Sequence, residues 1–399
     1  MSSYEVIVIG AGISGLSFAH YCGRAGLKTL VIEKDEHVGG ALHSQQIEAC
    51  DNFWIELGAH TCYNSYGNLI SILENCNILN KLQQRQKVPF KMLVDNRITS
   101  IPSQLNFIEL LMSVPRIFAL KKEGRSIQSF YSGIVGSSNF RRVIGPAMTA
   151  VLSHRADDFP ADMLFKKRPR RKDVMKSFTL AGGLQTIADT LSSQNNIETI
   201  VGTTIQEITF KSGLFRLIAA GAEYETETIA VAATASDAAH LLKTSFPAVA
   251  ERLSLIKDET IESVGTVIRK ELVQIPLVAG LIPSSDSFYS VVTRDTVNDD
   301  KYRGFTFHFK PGILSREAKL KRIAEVLGVE QSCLGPTREK LNSIPSLKVN
   351  HNELVREVDK TISGSRLFLT GNYFGGVAIE DCVNRSLKEF QRLRYGLDA

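Results

Sequence analysis

The sequence predicts an α/β fold in which one domain is assembled from separated segments and a second, α+β domain is inserted into it. Three observations support this prediction. A strand–turn–helix–strand pattern fills the first 33 residues, the region that follows is largely helical, and a second strand–glycine turn–helix pattern lies close to the end of the chain. The length of 399 residues is enough for two such domains.

The N-terminal pattern is typical of a dinucleotide-binding unit. An apolar run leads into Gly10, Gly12 and Gly15, and a second apolar run ends at Glu33. Gly10 permits a tight turn, Gly12 lets the backbone approach a pyrophosphate, and Gly15 lets the helix lie close to the sheet. The helix N-terminus would face the phosphates and Glu33 a ribose. The pattern therefore predicts a Rossmann-like nucleotide site, with a purely structural glycine turn as the alternative.

Hydrophobic periodicity predicts the remaining elements. Helices are expected at 66–82, 104–122, 126–135, 138–150, 184–191, 236–242 and 317–327, and from 378 onward. Strands are expected at 53–60, 88–94, 97–102, 204–210, 214–219, 228–233, 261–273, 303–309 and 366–370. Ser236 and Asp237 are expected to cap their helix. The predicted nucleotide-binding domain comprises 1–84, 178–242 and 350–399, and the predicted substrate-binding domain comprises 85–177 and 243–349.

Composition is that of an ordinary soluble globular protein, with 43% hydrophobic and 22% charged residues. A net charge of +5 gives little support for a nucleic-acid partner, so a small-molecule substrate is expected. The six cysteines show no metal-ligand spacing, which predicts free thiols in a reducing cytoplasm and no metal site. The first strand follows Met1 almost directly, so no targeting peptide is expected.

Two segments offer surface roles. Residues 105–122 are apolar with a basic end, which is compatible with a peripheral membrane contact, a buried helix or a cavity wall. The basic run 166–172 could meet lipid or an acidic substrate, although a solvated loop is the expected interpretation. No apolar run is long enough to predict a membrane-spanning helix.

Three motifs spread along the chain carry a family resemblance. The first is the N-terminal glycine turn with Glu33, continued by Gly39 and Gly40; the second is the segment 177–187, SFTLAGGLQTI; the third is the segment 367–382, LFLTGNYFGGVAIEDC. Together they resemble the FAD-dependent amine oxidase and protoporphyrinogen oxidase superfamily, and within it the protoporphyrinogen oxidase-like branch. The third motif is the most specific.

The resemblance implies FAD as the cofactor, contacted largely by backbone. The implied cofactor-binding residues are Gly10, Gly12, Ile13, Ser14, Gly15, Glu33, Lys34, Gly40, Ala41, Gly58, Ala59, Ile205, Gly371, Asn372, Val377 and Ala378. Among them Ile205 would flank the adenine, and the last four would lie near the ribityl chain and the isoalloxazine. The superfamily often places Arg or Lys where this chain has Ala41, and typical protoporphyrinogen oxidases are longer.

The implied chemistry is hydride transfer from a substrate C–H or C–N centre to flavin. Amine oxidase and carotenoid desaturase-like activities are alternatives within the superfamily. Residues 57–60 and 88–102 also resemble UDP-galactopyranose mutase, a non-redox flavoenzyme, and a flavin-binding protein without turnover is a third possibility.

Only two side chains are candidates for a catalytic role, His60 after the 58–59 turn and Tyr373 beside Phe374. Packing around the cofactor is the alternative for both. His308 is expected to be a strand histidine. Three arginines are expected to be surface charges rather than ligands of a substrate carboxylate: Arg141, Arg142 and Arg294.

Overall fold

The computed structural model describes residues 4–113, 115 and 120–396. Its helices are α1 (Ile13–Arg24), α2 (Gly67–Asn75), α3 (Phe107–Ser113), α4 (Ile127–Val135), α5 (Ser137–Asn139), α6 (Gly145–Leu152), α7 (Gln185–Ser192), α8 (Ala235–Leu242), α9 (Pro247–Ser254), α10 (Arg316–Leu327), α11 (His351–Ile362) and α12 (Ile379–Tyr395). A π-helical turn, Phe140–Ile144, joins α5 to α6.

The strands follow in chain order. They are β1 (Val6–Ile9), β2 (Thr29–Ile32), β3 (Ser44–Ile47), β4 (Phe53–Glu56), β5 (Cys62–Tyr63), β6 (Leu82–Gln84), β7 (Phe90–Val94), β8 (Arg97–Ser100), β9 (Ser177–Leu180), β10 (Ile197–Ile200), β11 (Ile205–Lys211), β12 (Leu214–Ala219), β13 (Ala222–Thr226), β14 (Thr228–Val231), β15 (Lys257–Arg269), β16 (Gly280–Pro283), β17 (Phe288–Thr293), β18 (Tyr302–Phe309), β19 (Thr337–Ser346) and β20 (Leu367–Leu369).

A five-stranded parallel sheet forms the centre of the nucleotide-binding part, in the order β10-β2-β1-β14-β20. Both faces are covered, because Ile7 and Ile9 belong to one hydrophobic cluster and Val6 and Val8 to another. Burial on both faces explains why these strands read as continuous apolar runs. Since all five strands are parallel, their carboxyl ends meet at one edge, where a ligand crevice is expected.

A seven-stranded sheet forms the second part, in the order β19-β15-β18-β17-β16-β7-β8. Helix α10 covers one face, packing Ile323 and Leu327 against phenylalanines of β18. The β3–β4 hairpin lies on this sheet, since Ile55 and Leu57 cluster with Val267. Glycines permit this approach: a Cβ at Gly265 would lie 2.5 Å from Ile55 Cδ1. The hairpin therefore connects the two parts of the molecule.

The boundaries of several predicted elements were wrong. Helix α3 covers only part of the predicted 104–122, because Asn106 caps its start and Pro115 lacks the N–H that a helix needs; residues 114 and 116–119 lie outside the described part. Thr234, not Ser236, caps α8 by accepting from the Asp237 N–H. The predicted strand 261–273 is β15, which starts and ends four residues earlier.

The prediction of a peripheral membrane contact at 105–122 remains a prediction. Four apolar side chains of α3 are exposed: Phe107, Ile108, Leu111 and Met112. Within the described residues, no helix is long and apolar enough to span a bilayer. The division into 1–84, 178–242 and 350–399 against 85–177 and 243–349 also remains a prediction.

Candidate functional site

The first glycine turn follows β1 at the carboxyl edge of the parallel sheet. Gly10 has a φ of +98°, and a Cβ there would lie 2.8 Å from the Ala232 carbonyl oxygen. A Cβ at Gly15 would lie only 1.9 Å from the Gly10 carbonyl oxygen. These two glycines are therefore required for α1 to start directly against the sheet.

The paired glycines, Gly39 and Gly40, lie against this turn. The strip of bare backbone that Gly12 and Gly40 present together is called the slot below. The Gly39 N–H donates to the Ala11 carbonyl at 2.8 Å, and Gly12 and Gly39 form a parallel bridge. Gly40 has a φ of +56°, and a Cβ there would lie 3.1 Å from the Gly12 Cα. The two chain segments meet as bare backbone, so a side chain at position 40 would press against Gly12 and cover the backbone that a phosphate would approach.

Glu33 closes this end of the site. Its buried carboxylate accepts from the Ala11 N–H at 2.6 Å and from the Asp35 N–H at 3.0 Å. The Thr203 N–H donates to the Glu33 carbonyl at 2.8 Å, so β11 and Ile205 begin beside the end of β2. Lys34 turns outward to an exposed ion pair with Asp237, so a cofactor contact by Lys34 would come from its backbone.

Gly58 and Ala59 lie against the segment that follows the paired glycines. The Ala59 N–H donates to the Ala41 carbonyl at 2.8 Å, and a Cβ at Gly58 would lie 2.2 Å from that oxygen. The turn after β4 is therefore in direct contact with the segment that follows the paired glycines.

The second glycine turn, 371–377, lies at the same edge because β20 is the outer strand of the parallel sheet. The Ser386 hydroxyl joins three elements: it donates to the Ser14 carbonyl at 2.7 Å and bonds the Thr370 hydroxyl at 2.8 Å. This holds the third turn of α12 against the first turn of α1 and the end of β20. Residues Gly371, Asn372, Val377 and Ala378 thus lie on the same side of the molecule as the first turn.

Both helix starts lack a side-chain cap within the described part of the chain. The N-cap residues are Gly12 for α1 and Ala378 for α12, and neither can offer a side-chain acceptor to the first-turn N–H groups. Helix starts of this kind are stabilised by an anion or a developing negative charge.

The acids in the first turn of α12 have partners elsewhere. The Glu380 carboxylate accepts from the Asn68 and Leu69 N–H groups at 2.9 and 3.1 Å and so caps α2. The Asp381 carboxylate pairs with Arg168 at 2.6 Å. Neither carboxylate therefore occupies the N–H groups at the start of α12.

The basic run 166–172 contacts the second glycine turn and the start of α12. Besides the Arg168 pair, the Lys166 ammonium donates to the Gly375 carbonyl, and Arg171 pairs with Glu74 at 2.6 Å. The expectation of a solvated loop at 166–172 was wrong for Lys166 and Arg168, whereas Arg171 lies in a surface ion pair. The charges of Lys166 and Arg168 hold the second glycine turn and the start of α12 in place.

Lys340 is a site residue that the sequence did not reveal. It projects from β19 of the other sheet, and its half-buried ammonium donates to the Gly40 carbonyl oxygen at 2.8 Å. Burial lowers the pKa of Lys340, while the nearby carboxylates Asp35 and Glu33 act in the opposite direction. No local signal marks this lysine, because it lies in a polar strand far along the chain.

The two catalytic candidates occupy different environments. Burial, reinforced by Arg85, lowers the pKa of His60 to about 3, so its imidazole is neutral at physiological pH and a weak base. Tyr373 is buried, burial raises its pKa, and its ring packs on Phe374 at 4.7 Å. A catalytic role for either side chain remains a prediction.

The other side chains singled out from the sequence differ in their burial. Arg141 and Arg142 are exposed, as expected. Arg294 is buried, so the expectation of a surface charge was wrong for it. His308 is a buried residue of β18 whose Nδ1 hydrogen-bonds the Ser263 hydroxyl at 2.9 Å.

Comparison with known proteins shows which other proteins share this architecture. A family model described as an NAD(P)-binding Rossmann-like domain matches residues 8–76. A protein assigned as a protoporphyrinogen oxidase, from Exiguobacterium sp. 255-15, superposes with a TM-score of 0.80 at 17% identity over 99% of both chains. The chain has the fold of the FAD-dependent amine oxidase and protoporphyrinogen oxidase superfamily. The predicted α/β fold class is thereby confirmed.

Two further likenesses bear on the range of this superfamily. The chain is 33% identical over 82 residues to the 15-cis-phytoene desaturase of Narcissus pseudonarcissus, which is 21% of this chain and 14% of the desaturase. The matches to the first curated desaturases span only 14% to 16% of their lengths. Reduced UDP-galactopyranose mutase superposes with a TM-score of 0.76 at 12% identity, over 98% of this chain and 96% of that one.

The residues present fit FAD. The bare-backbone slot between Gly12 and Gly40 and the uncapped start of α1 suit a pyrophosphate, and Lys340 brings a cation to the same slot. In the part of the chain that the structure describes, no cluster of three or more His, Cys, Asp or Glu side chains is placed to hold a metal ion.

Proposed function

We propose that this protein is an FAD-dependent oxidoreductase, related to protoporphyrinogen oxidases, that removes a hydride from a C–H or C–N centre of a small-molecule substrate. One observation carries the proposal: two uncapped helix starts, at Gly12 and Ala378, follow strands β1 and β20 at the carboxyl edge of one parallel sheet. A ligand that is anionic at one end and gains negative charge at the other suits this pair.

In this proposal the chain holds the cofactor mainly by backbone. The slot between Gly12 and Gly40 receives the pyrophosphate, Glu33 the adenosine ribose, and the second glycine turn the isoalloxazine end. When bound, FAD supplies the capacity to accept a hydride from carbon. The protein contributes position and charge, since the first-turn N–H groups at Ala378 stabilise negative charge beside them.

The contacts around α12 support this division of tasks. Glu380 caps α2 and Asp381 pairs with Arg168, so the helix start keeps its partial positive charge. Lys166 donates to the Gly375 carbonyl and restrains the glycine turn. We infer that the basic run serves the cofactor site rather than a lipid surface. The six free cysteines suit a reducing compartment, and we propose a cytoplasmic location.

Anaerobic stopped-flow spectroscopy of the FAD-loaded protein tests the proposal. Porphyrinogens, polyamines and other amines, carotenoid precursors and nucleotide sugars are each mixed with the oxidised protein while the visible flavin absorbance is followed. Bleaching by any of the first three classes, with saturable rates, supports the proposal and identifies the substrate class.

Two other outcomes count against it. Turnover of a nucleotide sugar only after dithionite reduction would identify a mutase-like enzyme. Retention of FAD with no bleaching by any donor would leave a flavin-binding protein without redox turnover. Free FAD mixed with the same donors is the control for reduction that does not involve the protein.

A further inference from the structure

A second polar site lies outside the glycine turns. A small cavity of about 20 Å³ lies between β4, β9 and the strands β17 and β18 of the large sheet. The side chains that determine its chemistry are Trp54, Glu56, His60, Arg85, Thr179 and Arg294. Of this group only His60 is a catalytic candidate above; the other five side chains have no part in the proposed cofactor contacts or hydride transfer.

Arg294 differs from the other buried arginines of the described chain. Arg303 pairs with Asp295 at 2.5 Å, Arg385 with Asp359 at 2.8 Å, and Arg392 with Glu389 at 3.0 Å. Arg294 is only 9% exposed, yet no carboxylate of the described residues lies within 4.0 Å of it. An unpaired buried charge is costly, so a buried arginine without an acid partner indicates a missing anion.

The contacts of Arg294 leave part of its guanidinium unused. One terminal nitrogen donates to the Val297 carbonyl at 2.7 Å, and the guanidinium carbon lies 3.5 Å from the ring centroid of Trp54. Its Nε is buried and without a hydrogen-bond partner in the described structure, as is the hydroxyl of Thr179, which is 3% exposed. Both groups line the cavity and can donate to an acceptor within it.

Asp299, outside the cavity, and Glu56, in its lining, attract the Arg294 charge from a distance, but neither forms an ion pair with it. Arg85 donates to the His60 carbonyl at 2.8 Å and adds a second positive charge. The single acid, Glu56, uses its two oxygens to accept from the Ser44 hydroxyl and the Leu184 N–H. Burial raises the pKa of Glu56 to about 7, and the imidazole of His60 is neutral. The cavity therefore carries net positive charge.

We propose that this cavity binds a small monovalent anion, a carboxylate group or a halide, between the guanidinium groups of Arg294 and Arg85. A carboxylate matches the planar donors of arginine, and Thr179 supplies a further donor. The carboxylate could belong to a substrate or to a free anion, and both share this chemistry. The proposal does not require the redox function, because its three donors, Arg294, Arg85 and Thr179, are not among the proposed cofactor contacts.

The fluorescence of Trp54 reports on the cavity, because Trp54 lines it and is the only tryptophan of the chain. The FAD-loaded protein is titrated with iodide at constant ionic strength, balanced by a bulky sulfonate, while tryptophan emission is recorded. Iodide should quench in a saturable manner, and chloride and formate should compete. Acrylamide, a neutral quencher, should give a linear response that neither anion changes.

Variants assign the effect to the arginines. Arg294→Gln should weaken iodide binding by about tenfold or more, since it removes a charge-assisted donor. Arg141→Gln, at an exposed arginine, is the matched control and should bind iodide like the parent protein. If Arg294→Gln does not fold, as judged by circular dichroism, Arg85→Gln and Thr179→Val replace it, each with a smaller expected loss.

A series of formate, acetate and butyrate separates the two sources of the anion. Affinity that rises with chain length indicates the carboxylate of a larger ligand, whereas binding confined to formate and halides indicates a free small anion. Linear iodide quenching that is unchanged in Arg294→Gln and insensitive to chloride would overturn the proposal. Because the readout is tryptophan emission, failure here leaves the flavin-reduction experiment unaffected.

Discussion

Lys340 reaches across the two parts of the molecule to a backbone oxygen of the cofactor slot. Its ammonium donates to the Gly40 carbonyl at 2.8 Å from a strand of the large sheet. The superfamily often carries a basic residue at the position of Ala41, and this chain does not. We infer that Lys340 supplies the missing charge, so that pyrophosphate binding depends on both sheets.

Replacing Lys340 with methionine tests this inference at the residue scale. The variant keeps an unbranched side chain of similar length but removes the cation, so the Kd for FAD should rise about tenfold, as expected for one charge-assisted contact. Isothermal titration of the flavin-free protein with FAD measures it. Lys348→Met, at an exposed lysine paired with Asp158, is the control and should leave the Kd unchanged. An unaltered Kd for Lys340→Met would place the cation elsewhere.

At the scale of elements, the contact between β1 and α1 depends on a glycine with no room for a side chain. A Cβ at Gly15 would lie 1.9 Å from the Gly10 carbonyl oxygen, which is backbone and cannot rotate away. The helix would have to shift relative to the sheet. That shift would also move the Ser14 carbonyl, to which the Ser386 hydroxyl of α12 donates.

Gly15→Ala should lower the free energy of unfolding by at least about 2 kcal/mol, since overpacking against backbone is not relieved by rotamer changes. Urea unfolding followed by circular dichroism measures the effect. Gly67→Ala is the matched control, because Gly67 is also in the first turn of a helix and has no heavy atom within 4 Å of the added Cβ. Equal stability of the two variants would contradict the packing argument.

The elements that could be predicted from sequence are those specified locally. The N-terminal βαβ unit, the apolar run of β14 and the turn into α12 each carry their own periodicity and glycines. Strands β16 and β19 were missed, because they pair with β7 and β15, which lie far away in the chain; β17 was missed although its partners β16 and β18 are its neighbours in sequence. The π-helical turn between α5 and α6 was likewise read as ordinary helix.

The site residues also fall into two groups, those that the sequence alone identifies and those that it does not. Gly10, Gly12 and Gly40 could be found from spacing, since backbone approach requires glycine wherever the chain is folded back. Lys340 and Arg294 could not, because a charged side chain in a polar or mixed segment gives no sign of its long-range neighbours. For the basic run, sequence showed the charges but not the Asp381 and Glu74 carboxylates that receive them.

At the scale of the whole molecule, several buried histidines join the packed interior in neutral form. Burial lowers the pKa of His43 and of His308 to about 4 and that of His60 to about 3, from an ordinary value of 6.5. Glu56 acts in the opposite direction, since burial raises its pKa to about 7. Burial also lowers the pKa of His20, His154 and His351 and raises that of Glu380, so six histidines oppose two carboxyl groups in the pH dependence of stability.

The sign of the effect follows from proton counting. Between about pH 6.5 and pH 4 an unfolded histidine binds a proton that its folded counterpart does not, so the free energy of unfolding should fall as pH falls, by up to about 1.4 kcal/mol per pH unit for each histidine. Glu56 and Glu380 offset part of these contributions. Urea unfolding across this range measures the slope, and His308→Gln should reduce it by up to one proton. A flat profile would contradict the neutral assignment.

The most direct test of the central claim is the flavin content of the protein after incubation with FAD and gel filtration, read from its visible absorption spectrum. The account predicts an equimolar complex in which FAD elutes with the folded chain. A protein that is folded by circular dichroism yet elutes free of flavin would contradict the assignment of the two glycine turns as one cofactor site.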